Sequence, residues 1–387
     1  MKNFLAVFFF LSVAVAQISP PLNTKGKQIL LMDANTDTVL FSKDADELMD
    51  PGSMTKIMTA YLVFKQIKEG KLSFDTVFSV SKDAVGRVSK VTNGTLMYLS
   101  PGKFVSVREL IQGLFVASGN DACVCLAENI AGSEENFVEL MNATAKKFGA
   151  TQTNFTNSHG GPEDSQKSTC RDLYVMAKSM YLHFPEPEFQ EFFKQKTFKY
   201  AGAKGVFNSP NDLLRNLSSA DGLKTGHTEA GGYGVVGSAN DNGRHHILVI
   251  NGCVSRIDRS KSSVLLMKWG FDNFRQLTLF AKGDTVGYAD TWLAQEERLP
   301  LEVQKDFIVT VPKFFLGKIS AELVYNGPIE APVQQGKPVG ELAVNLGDGV
   351  LVSQKLFAQK SLEKANFFSR LPTVINYLLF GHNVNEE

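Results

Sequence analysis

The sequence has no excess of charge of either sign. Lysine and arginine together number 40, and aspartate and glutamate together also number 40, so the formal net charge is zero. Proteins that bind nucleic acid usually carry a basic excess, and this composition gives no support for that class. No short-period repeat or low-complexity tract occurs. The length of 387 residues is enough for about two globular domains.

Cysteine and histidine are both scarce, which argues against two kinds of site. The four cysteines do not form a disulfide-rich framework, and Cys123 and Cys125, two apart on a predicted helix, should not pair with each other. We interpret Cys123 as a buried structural thiol rather than a nucleophile. No histidine has the spacing of a metal ligand, so we expect no metal and no cofactor; this applies to His159, His183, His245, His246 and His382.

The N-terminus carries an apolar run that is too short for an ordinary membrane span. The run extends from Phe4 to Leu11 after Lys2, and the segment ends in Ala14-Val15-Ala16. A basic start, a short apolar core and an A-x-A end are typical of a secretory signal peptide. The alternative is an uncleaved anchor, although a span needs about 20 residues. We predict that residues 1–16 are removed and that the protein works outside the cytoplasm.

Three short segments occur once each, and their order is Ser53-Met54-Thr55-Lys56, Ser118-Gly119-Asn120 and Lys224-Thr225-Gly226. Each alone has an ordinary structural explanation, as a helix N-cap, a helix-entry turn and a solvated strand end. Together they supply a nucleophile, two lysines, a second hydroxyl and an amide. That set is sufficient for acyl transfer without a histidine.

The first segment supplies the predicted nucleophile and its base. Apolar residues recur at helical spacing from Ile57 to Ile67, so Ser53 is predicted at the start of a helix with Lys56 one turn later on the same face. Lys56 can take the serine proton only when it is neutral. Repulsion from Lys224 would lower the pKa of Lys56, and burial would act in the same direction.

The other segments supply supporting groups. Ser118 can relay a proton to the leaving amine, and Asn120 can hold the acyl side chain or orient Lys56. The backbone N–H groups of Ser53 and His227 are candidates for an oxyanion hole. The strand that carries His227 can also pair with an extended peptide substrate.

The pattern of secondary structure changes near residues 274–282. Helical and strand patterns are mixed before this point, whereas short β-rich runs separated by Gly, Pro and Asn follow it, as in a small all-β module. We therefore predict a signal peptide at 1–16, a catalytic domain at 17–278, a β-rich domain at 279–360 and an amphipathic tail at 361–387.

The tail carries a helical stripe of apolar residues over 366–380. This segment is too short to span a bilayer but suits an interfacial anchor on a membrane surface. Pro372 requires that the helix start at Leu371, because proline breaks a helix interior. The alternative is a helix that docks on its own protein.

The motifs and their flanks resemble those of the serine penicillin-recognising enzymes. The similarity is greatest to the type-5 low-molecular-mass penicillin-binding proteins, which are D-alanyl-D-alanine carboxypeptidases of peptidase family S11. It covers almost the whole mature chain. The flanks that carry it are Asp50-Pro51-Gly52 before Ser53, Asp121-Ala122-Cys123 after Asn120, Asp221-Gly222-Leu223 before Lys224, His227-Thr228 after Gly226, Trp269-Gly270-Phe271 and Asn366-Phe367-Phe368.

The resemblance implies an α+β fold of the β-lactamase/DD-peptidase type. A catalytic domain with an antiparallel sheet flanked by helices is followed by a small all-β sandwich domain. In the implied reaction, Ser53 attacks the D-Ala–D-Ala bond of a peptidoglycan stem pentapeptide, the terminal D-Ala leaves, and water releases the acyl group. β-Lactam antibiotics acylate the same serine. The implied location is the periplasmic face of the inner membrane, with the tail as a peripheral anchor.

The substrate's free carboxylate needs a cation and hydrogen-bond donors. Arg259 matches an arginine that the family has ahead of its Trp-Gly-Phe sequence. The predicted substrate-binding set is Lys224, Thr225, Gly226, His227 and Arg259. At one position the chain departs from the family, which often has an arginine after an asparagine upstream of the K-T-G strand. Here Ser209 follows Asn208, which puts that contribution to carboxylate binding in doubt.

Two other functions use the same fold. A β-lactamase would deacylate the drug rapidly, and Glu163 is a candidate deacylating base; the extra β domain, Gly119 and His227 argue against this function. A non-catalytic cell-wall binding protein is the second alternative. The complete set of chemical groups argues against it, namely Ser53, Lys56, Ser118, Asn120 and Lys224.

Overall fold

The computed structural model describes residues 24–89, 95–203, 205–346 and 349–366, together with Phe368, Leu371 and Ile375. The predicted signal peptide and most of the predicted tail lie outside these residues. The chain divides between Asp272 and Asn273 into two compact units. The sequence pattern places this boundary slightly later, at 278.

A five-stranded antiparallel sheet forms the centre of the first unit, in the order β2-β1-β9-β8-β7. Strand β7, which carries the third motif, lies at one edge. Short pairs β3–β4 and β5–β6 lie outside this sheet. The strands are β1 Gln28–Asp33, β2 Thr38–Lys43, β3 Val77–Ser79, β4 Phe104–Ser106, β5 Thr197–Phe198, β6 Phe207–Asn208, β7 Ala220–Thr228, β8 Gly232–Asp241 and β9 Arg244–Cys253.

Helices cover both faces of this sheet. Leu30 on β1 belongs to the large core, whereas its neighbour Leu31 approaches Gly270 on the opposite face, because successive strand residues point to opposite sides. The helices are α1 Lys56–Lys68, α2 Lys82–Ser89, α3 Val107–Gln112, α4 Asn120–Ala131, α5 Glu134–Lys147, α6 Cys170–His183, α7 Pro187–Lys194, α8 Leu213–Asn216 and α9 Arg256–Asn273. A 3₁₀ turn at Gly52–Thr55 precedes α1, and a π-helical turn at Gly113–Ala117 follows α3.

The second unit is built from β-strands. Its six-stranded sheet has the order β14-β16-β17-β12-β11-β15, and β10 pairs with β13. Both groups of strands contribute to one apolar core, which is separate from the core of the first unit. The strands are β10 Phe274–Phe280, β11 Thr285–Trp292, β12 Arg298–Glu302, β13 Phe307–Pro312, β14 Ile319–Val324, β15 Ile329–Glu330, β16 Pro338–Leu346 and β17 Gly349–Ala358, with a 3₁₀ turn at Lys313–Phe315. The predicted α+β class with a C-terminal all-β domain is confirmed.

None of the helices in the described part of the chain is both long enough and apolar enough to cross a lipid bilayer.

Phenylalanine supplies much of the packing behind the site. Phe64 of α1 is fully buried, and its ring centroid lies 5.4 Å from that of Phe184, 4.9 Å from that of Phe189 and 6.0 Å from that of Phe193. Phe189 and Phe193 are four residues apart on α7 and therefore share one helix face. This cluster holds α1, and with it Lys56, against the neighbouring helices.

Removing the central ring of this cluster should destabilise the first unit. We expect Phe64→Ala to lower the free energy of unfolding by about 3–5 kcal/mol, because the fully buried ring leaves a cavity. Urea denaturation followed by circular dichroism measures the change. Phe104→Ala, at a side chain that is 71% exposed, is the control and should shift the transition little. Equal effects of the two substitutions would contradict this packing.

Candidate active site

Ser53 lies where the first motif meets the edge strand β7. Gly52 before it has a left-handed φ of 50°, and a Cβ there would lie 3.2 Å from the backbone nitrogen of His227. On the strand, a Cβ at Gly226 would lie 2.7 Å from the carbonyl oxygen of Pro51. The two segments therefore approach so closely that glycine is needed on both, which brings the backbone nitrogens of Ser53 and His227 to the same region.

Lys56, the first residue of α1, is fully buried and makes three polar contacts. Its Nζ lies 2.9 Å from Ser53 Oγ and 2.7 Å from Asn120 Oδ1, and it also donates to the carbonyl oxygen of His159. An amide oxygen and a backbone carbonyl can only accept hydrogen bonds. They therefore occupy two N–H groups of Lys56, and the third position of the nitrogen faces Ser53 Oγ.

Burial is the main cause of the low pKa of both lysines in the site. It lowers the pKa of Lys56 from 10.5 to about 8, against the opposing electrostatic effects of Cys123 and Asp121. It also lowers the pKa of Lys224 well below its usual value, and the charge of Lys56 adds to that shift. From the sequence, repulsion by Lys224 was expected to be the first cause of the lowered pKa of Lys56. In the structure, desolvation by burial is the main cause.

Ser118 pairs with the second lysine rather than the first. It follows the π-helical turn with φ 55° and ψ 32°, a left-handed conformation. Its Oγ accepts a hydrogen bond from Lys224 Nζ at 3.0 Å, and Lys224 also donates to the carbonyl of Thr225 at 3.0 Å. Ser118 and Asn120 thus contact different lysines: Ser118 contacts Lys224, and Asn120 contacts Lys56.

Two residues to which the sequence analysis assigned no role fix the second motif. The Thr95 hydroxyl donates to the carbonyl of Ser118 at 2.6 Å, and the Thr95 carbonyl accepts from the backbone N–H of Asn120 at 2.8 Å. Asp121 accepts the backbone N–H groups of Met97 and Leu99 at 2.8 and 2.9 Å. Asp121 lies in the first turn of α4, and an acidic residue at that position is the sequence feature from which this role could have been predicted.

His159 belongs to a tight loop beside the nucleophile. Its backbone carbonyl, not its ring, contacts Lys56, and burial lowers the ring pKa to about 3, so the ring is neutral. Asn157 Oδ1 accepts the N–H groups of Gly160 and Gly161 at 2.7 and 3.0 Å. This role could not be predicted from residue type, because any residue can offer a backbone carbonyl.

Glu134 holds the same loop from the opposite side. Its Oε1 accepts the backbone N–H of Ser158 at 2.9 Å and the Ser158 hydroxyl at 2.6 Å. Both residues are buried. A buried carboxylate with two donors fixes the position of the residue directly before His159.

A cavity of about 420 Å³ opens beside Ser53. It brings together most of the predicted site residues, namely Ser53, Ser118, Asn120, Thr225, Gly226, His227 and Arg259. Lys56 and Lys224 are 0% and 1% exposed and lie behind this wall. His227 is exposed, and its ring centroid lies 4.0 Å from that of Tyr233.

Arg259 reaches the cavity from α9. Its Nη2 donates to the carbonyl of Pro210 at 2.8 Å and lies 3.6 Å from Asp212 Oδ2. Burial lowers its pKa from 12.5, and Asp212 opposes that shift. Arg256, one turn earlier on α9, lines the cavity as well and was not identified from the sequence.

Two side chains near the motifs lie outside the cavity. Glu163 is exposed, and its carboxylate accepts a hydrogen bond from Asn157 Nδ2 at 3.3 Å. Cys123 is fully buried, and burial raises the pKa of its thiol to about 12, which keeps it protonated. No group of three or more His, Cys, Asp or Glu residues that could hold a metal ion occurs within the described ranges.

Sequence comparisons match two families in chain order. Residues 14–254 match the family model for D-alanyl-D-alanine carboxypeptidase, and residues 274–364 match that for the C-terminal domain of penicillin-binding protein 5. The chain is 35% identical over 355 residues to D-alanyl-D-alanine carboxypeptidase DacD of Salmonella typhimurium, covering 91% of this chain and 90% of the relative. It is 32% identical to DacA of Escherichia coli, covering 91% and 87%.

Solved structures give the same result. Penicillin-binding protein 5 from Haemophilus influenzae superposes with a TM-score of 0.82 at 30% identity, covering 90% of this chain and all of that one. Penicillin-binding protein 6B from Escherichia coli gives 0.72 at 30% identity, covering 88% and 97%.

The contact between Gly160 and the nucleophile can be tested directly. Gly160 has φ 85°, and a Cβ there would lie 2.0 Å from the carbonyl oxygen of Gly52 and 3.0 Å from the backbone nitrogen of Ser53. Gly160→Ala should therefore displace the nucleophile and slow acylation of Ser53 by a penicillin about a hundredfold. Gly86→Ala, at a helical site with open space around the added methyl group, should leave the rate unchanged. A wild-type rate in Gly160→Ala would show that this contact does not position Ser53.

Proposed function

The chain belongs to the D-alanyl-D-alanine carboxypeptidase family, and from this premise we propose that it is a serine-type carboxypeptidase that removes the terminal D-Ala from peptidoglycan stem pentapeptides. One observation carries the mechanism. Lys56 Nζ lies 2.9 Å from Ser53 Oγ, while its other two partners, Asn120 Oδ1 and the His159 carbonyl, can only accept hydrogen bonds. A neutral Lys56 therefore directs its lone pair at the serine proton.

In acylation, Ser53 Oγ attacks the carbonyl carbon between the two D-Ala residues, and its proton moves to Lys56. The oxyanion that forms accepts hydrogen bonds from the backbone N–H groups of Ser53 and His227. The C–N bond then breaks as the Ser118 hydroxyl gives its proton to the leaving amine, and the proton that Lys56 took from Ser53 replaces it. Ser118 and neutral Lys56 are both restored. The close approach of the two segments at Gly52 and Gly226, which brings these two backbone nitrogens to the same region, supports this assignment.

Deacylation reverses these roles. Lys56 takes a proton from a water molecule, the resulting hydroxide attacks the ester carbonyl, and the proton returns to Ser53 Oγ as the ester bond breaks. The products are the shortened stem peptide and free enzyme. A β-lactam follows the same first step and leaves its opened ring on Ser53.

The terminal carboxylate of the substrate requires a charged partner. Because Arg259 lines the cavity whereas Lys224 is 1% exposed and lies behind its wall, we assign this charge to Arg259. Lys224 and Thr225 then complete the substrate-binding set with Gly226 and His227 on the edge strand.

The position of Glu163 argues against a β-lactamase. Rapid hydrolysis of an acylated drug needs a base that activates water next to the ester carbonyl. Glu163 is exposed and is not among the residues that line the cavity. We therefore favour the carboxypeptidase, for which slow turnover of β-lactams is sufficient.

We also propose an exported protein that lies on the periplasmic face of the inner membrane, with a cleaved segment at 1–16, a catalytic domain at 17–278, a β-rich domain at 279–360 and an anchoring tail at 361–387. Phe368, Leu371 and Ile375 of the predicted stripe are 82%, 39% and 48% exposed. All three residues are helical, so the expected start of the helix at Leu371 is wrong, and their spacing of three and four residues places them on one helix face. An exposed apolar face supports an interfacial anchor over a helix docked on its own protein.

Release of D-Ala from an acyl-D-Ala-D-Ala peptide tests the function. The wild-type protein should release one D-Ala per peptide, and a penicillin should add its mass to the peptide that contains Ser53. Ser53→Ala should abolish both signals, because it lacks the attacking oxygen. Rapid hydrolysis of a β-lactam without D-Ala release would establish a β-lactamase instead.

The pH dependence of acylation tests the role of Lys56. Only the neutral amine accepts the serine proton, so the rate should rise about tenfold per pH unit below a midpoint near 8 and level off above it. The measurement is the rate of penicillin acylation from pH 6 to pH 10. A rate that still rises steeply between pH 9 and pH 10 would mean that Lys56 keeps its ordinary pKa.

A further inference from the structure

The resemblance leaves one contribution to carboxylate binding in doubt, at the position that follows Asn208. The residue there, Ser209, is 4% exposed. Its backbone N–H donates to the Lys196 carbonyl at 2.8 Å, and its own carbonyl accepts from Arg215 Nη1 at 2.8 Å. Ser209 is not among the residues that line the cavity, so another part of the chain must supply any second charge.

Arg256 provides a guanidinium at the wall of the same cavity. It is the first residue of α9, one turn before Arg259, and both line the cavity. Its Nε and Nη2 donate to the two oxygens of Asp212 at 3.1 and 2.9 Å. This bidentate contact uses two of the five N–H donors and leaves three for a ligand. The side chain is 55% exposed, so a solute can reach it.

Asp212 holds both arginines in place. Its Oδ1 contacts Arg256 at 2.9 Å, and its Oδ2 lies 3.6 Å from Arg259 Nη2. Arg215 Nη1 also lies 3.8 Å from Oδ1, so this one carboxylate lies close to three guanidinium groups and cannot neutralise all of them. Burial raises the pKa of Asp212, but the hydrogen bond from Arg256 and the charges of the arginines outweigh it and keep the carboxylate ionised.

We propose that Arg256 is a substrate-binding residue that holds the terminal carboxylate of the substrate together with Arg259, in place of the arginine that is absent at Ser209. Asp212 is the positioning residue that presents Arg256 to the cavity. The inference rests on the proposed function, because it assigns the anion in this cavity to the C-terminus of an acyl-D-Ala-D-Ala peptide. A guanidinium that is already held in place binds a carboxylate more tightly than a mobile guanidinium does, because less side-chain freedom is lost on binding.

The test compares two substrates that differ only in the charge of the terminal group. One is a diacyl-L-Lys-D-Ala-D-Ala peptide with a free carboxylate, and the other is the same peptide with a terminal amide. The ratio of their kcat/KM values measures recognition of the carboxylate. A general loss of structure lowers both values and leaves the ratio unchanged.

We expect Arg256→Gln to lower kcat/KM for the free acid roughly ten- to hundredfold, as for the loss of a charge-assisted hydrogen bond. The value for the amide should change little, so the ratio falls. Arg256→Lys should give an intermediate ratio, because it keeps the charge but loses the bidentate contact. Arg215→Gln is the matched control: Arg215 lies 3.8 Å from Asp212 Oδ1 but does not line the cavity, so the ratio should stay near that of the wild type.

The outcomes separate this inference from the proposed function. An unchanged ratio in Arg256→Gln, or an equal fall in Arg215→Gln, would overturn the role of Arg256 while the enzyme still releases D-Ala. A wild-type protein that releases no D-Ala from the free acid would overturn the function itself. The ratio of penicillin acylation rates for the free acid and its methyl ester would then still test Arg256, because acylation by a penicillin does not depend on the release of D-Ala.

Discussion

The site depends on the burial of two lysines in one cavity wall. A lysine that loses water must find hydrogen-bond partners or give up its proton, because the charged form is strongly disfavoured in the interior. Lys56 meets both conditions. Two of its contacts are to atoms that only accept, and its lowered pKa makes the neutral form available near neutral pH. The same constraint sets the position of Ser53, which faces the remaining side of the nitrogen.

Close backbone approach brings the separate segments of the site together. Gly52, Gly160 and Gly226 stand where a Cβ would meet backbone atoms of a neighbouring segment. Asp121 and Glu134 fix the loops beyond these contacts by accepting backbone N–H groups. The geometry around Lys56 is therefore held by the backbone and by buried carboxylates, so the reactive side chains themselves need not move to form it.

The sequence predicted the parts of the site that depend on residue type. The three motifs, the helix after Ser53 and the strand with Lys224 could be predicted from residue types and spacing, whereas the α+β class was implied by the resemblance to a known family. The His159 carbonyl could not, since every residue has one, and its ring led the interpretation towards an ordinary core or surface histidine. Arg256 was missed because its role depends on Asp212, which lies 44 residues earlier in the chain. Burial of the lysines, which outweighs their repulsion, also depends on tertiary packing.

The most direct test of this account is the protonation state of Lys56 itself. Nuclear magnetic resonance of protein labelled at the lysine ε positions, with Lys56→Gln for assignment, gives its titration curve. We expect a resonance that titrates near pH 8, far below the 10.5 of an ordinary lysine, and that is absent in the variant. A Lys56 resonance that remains that of an ammonium up to pH 10 would contradict the proposal that this lysine is the base.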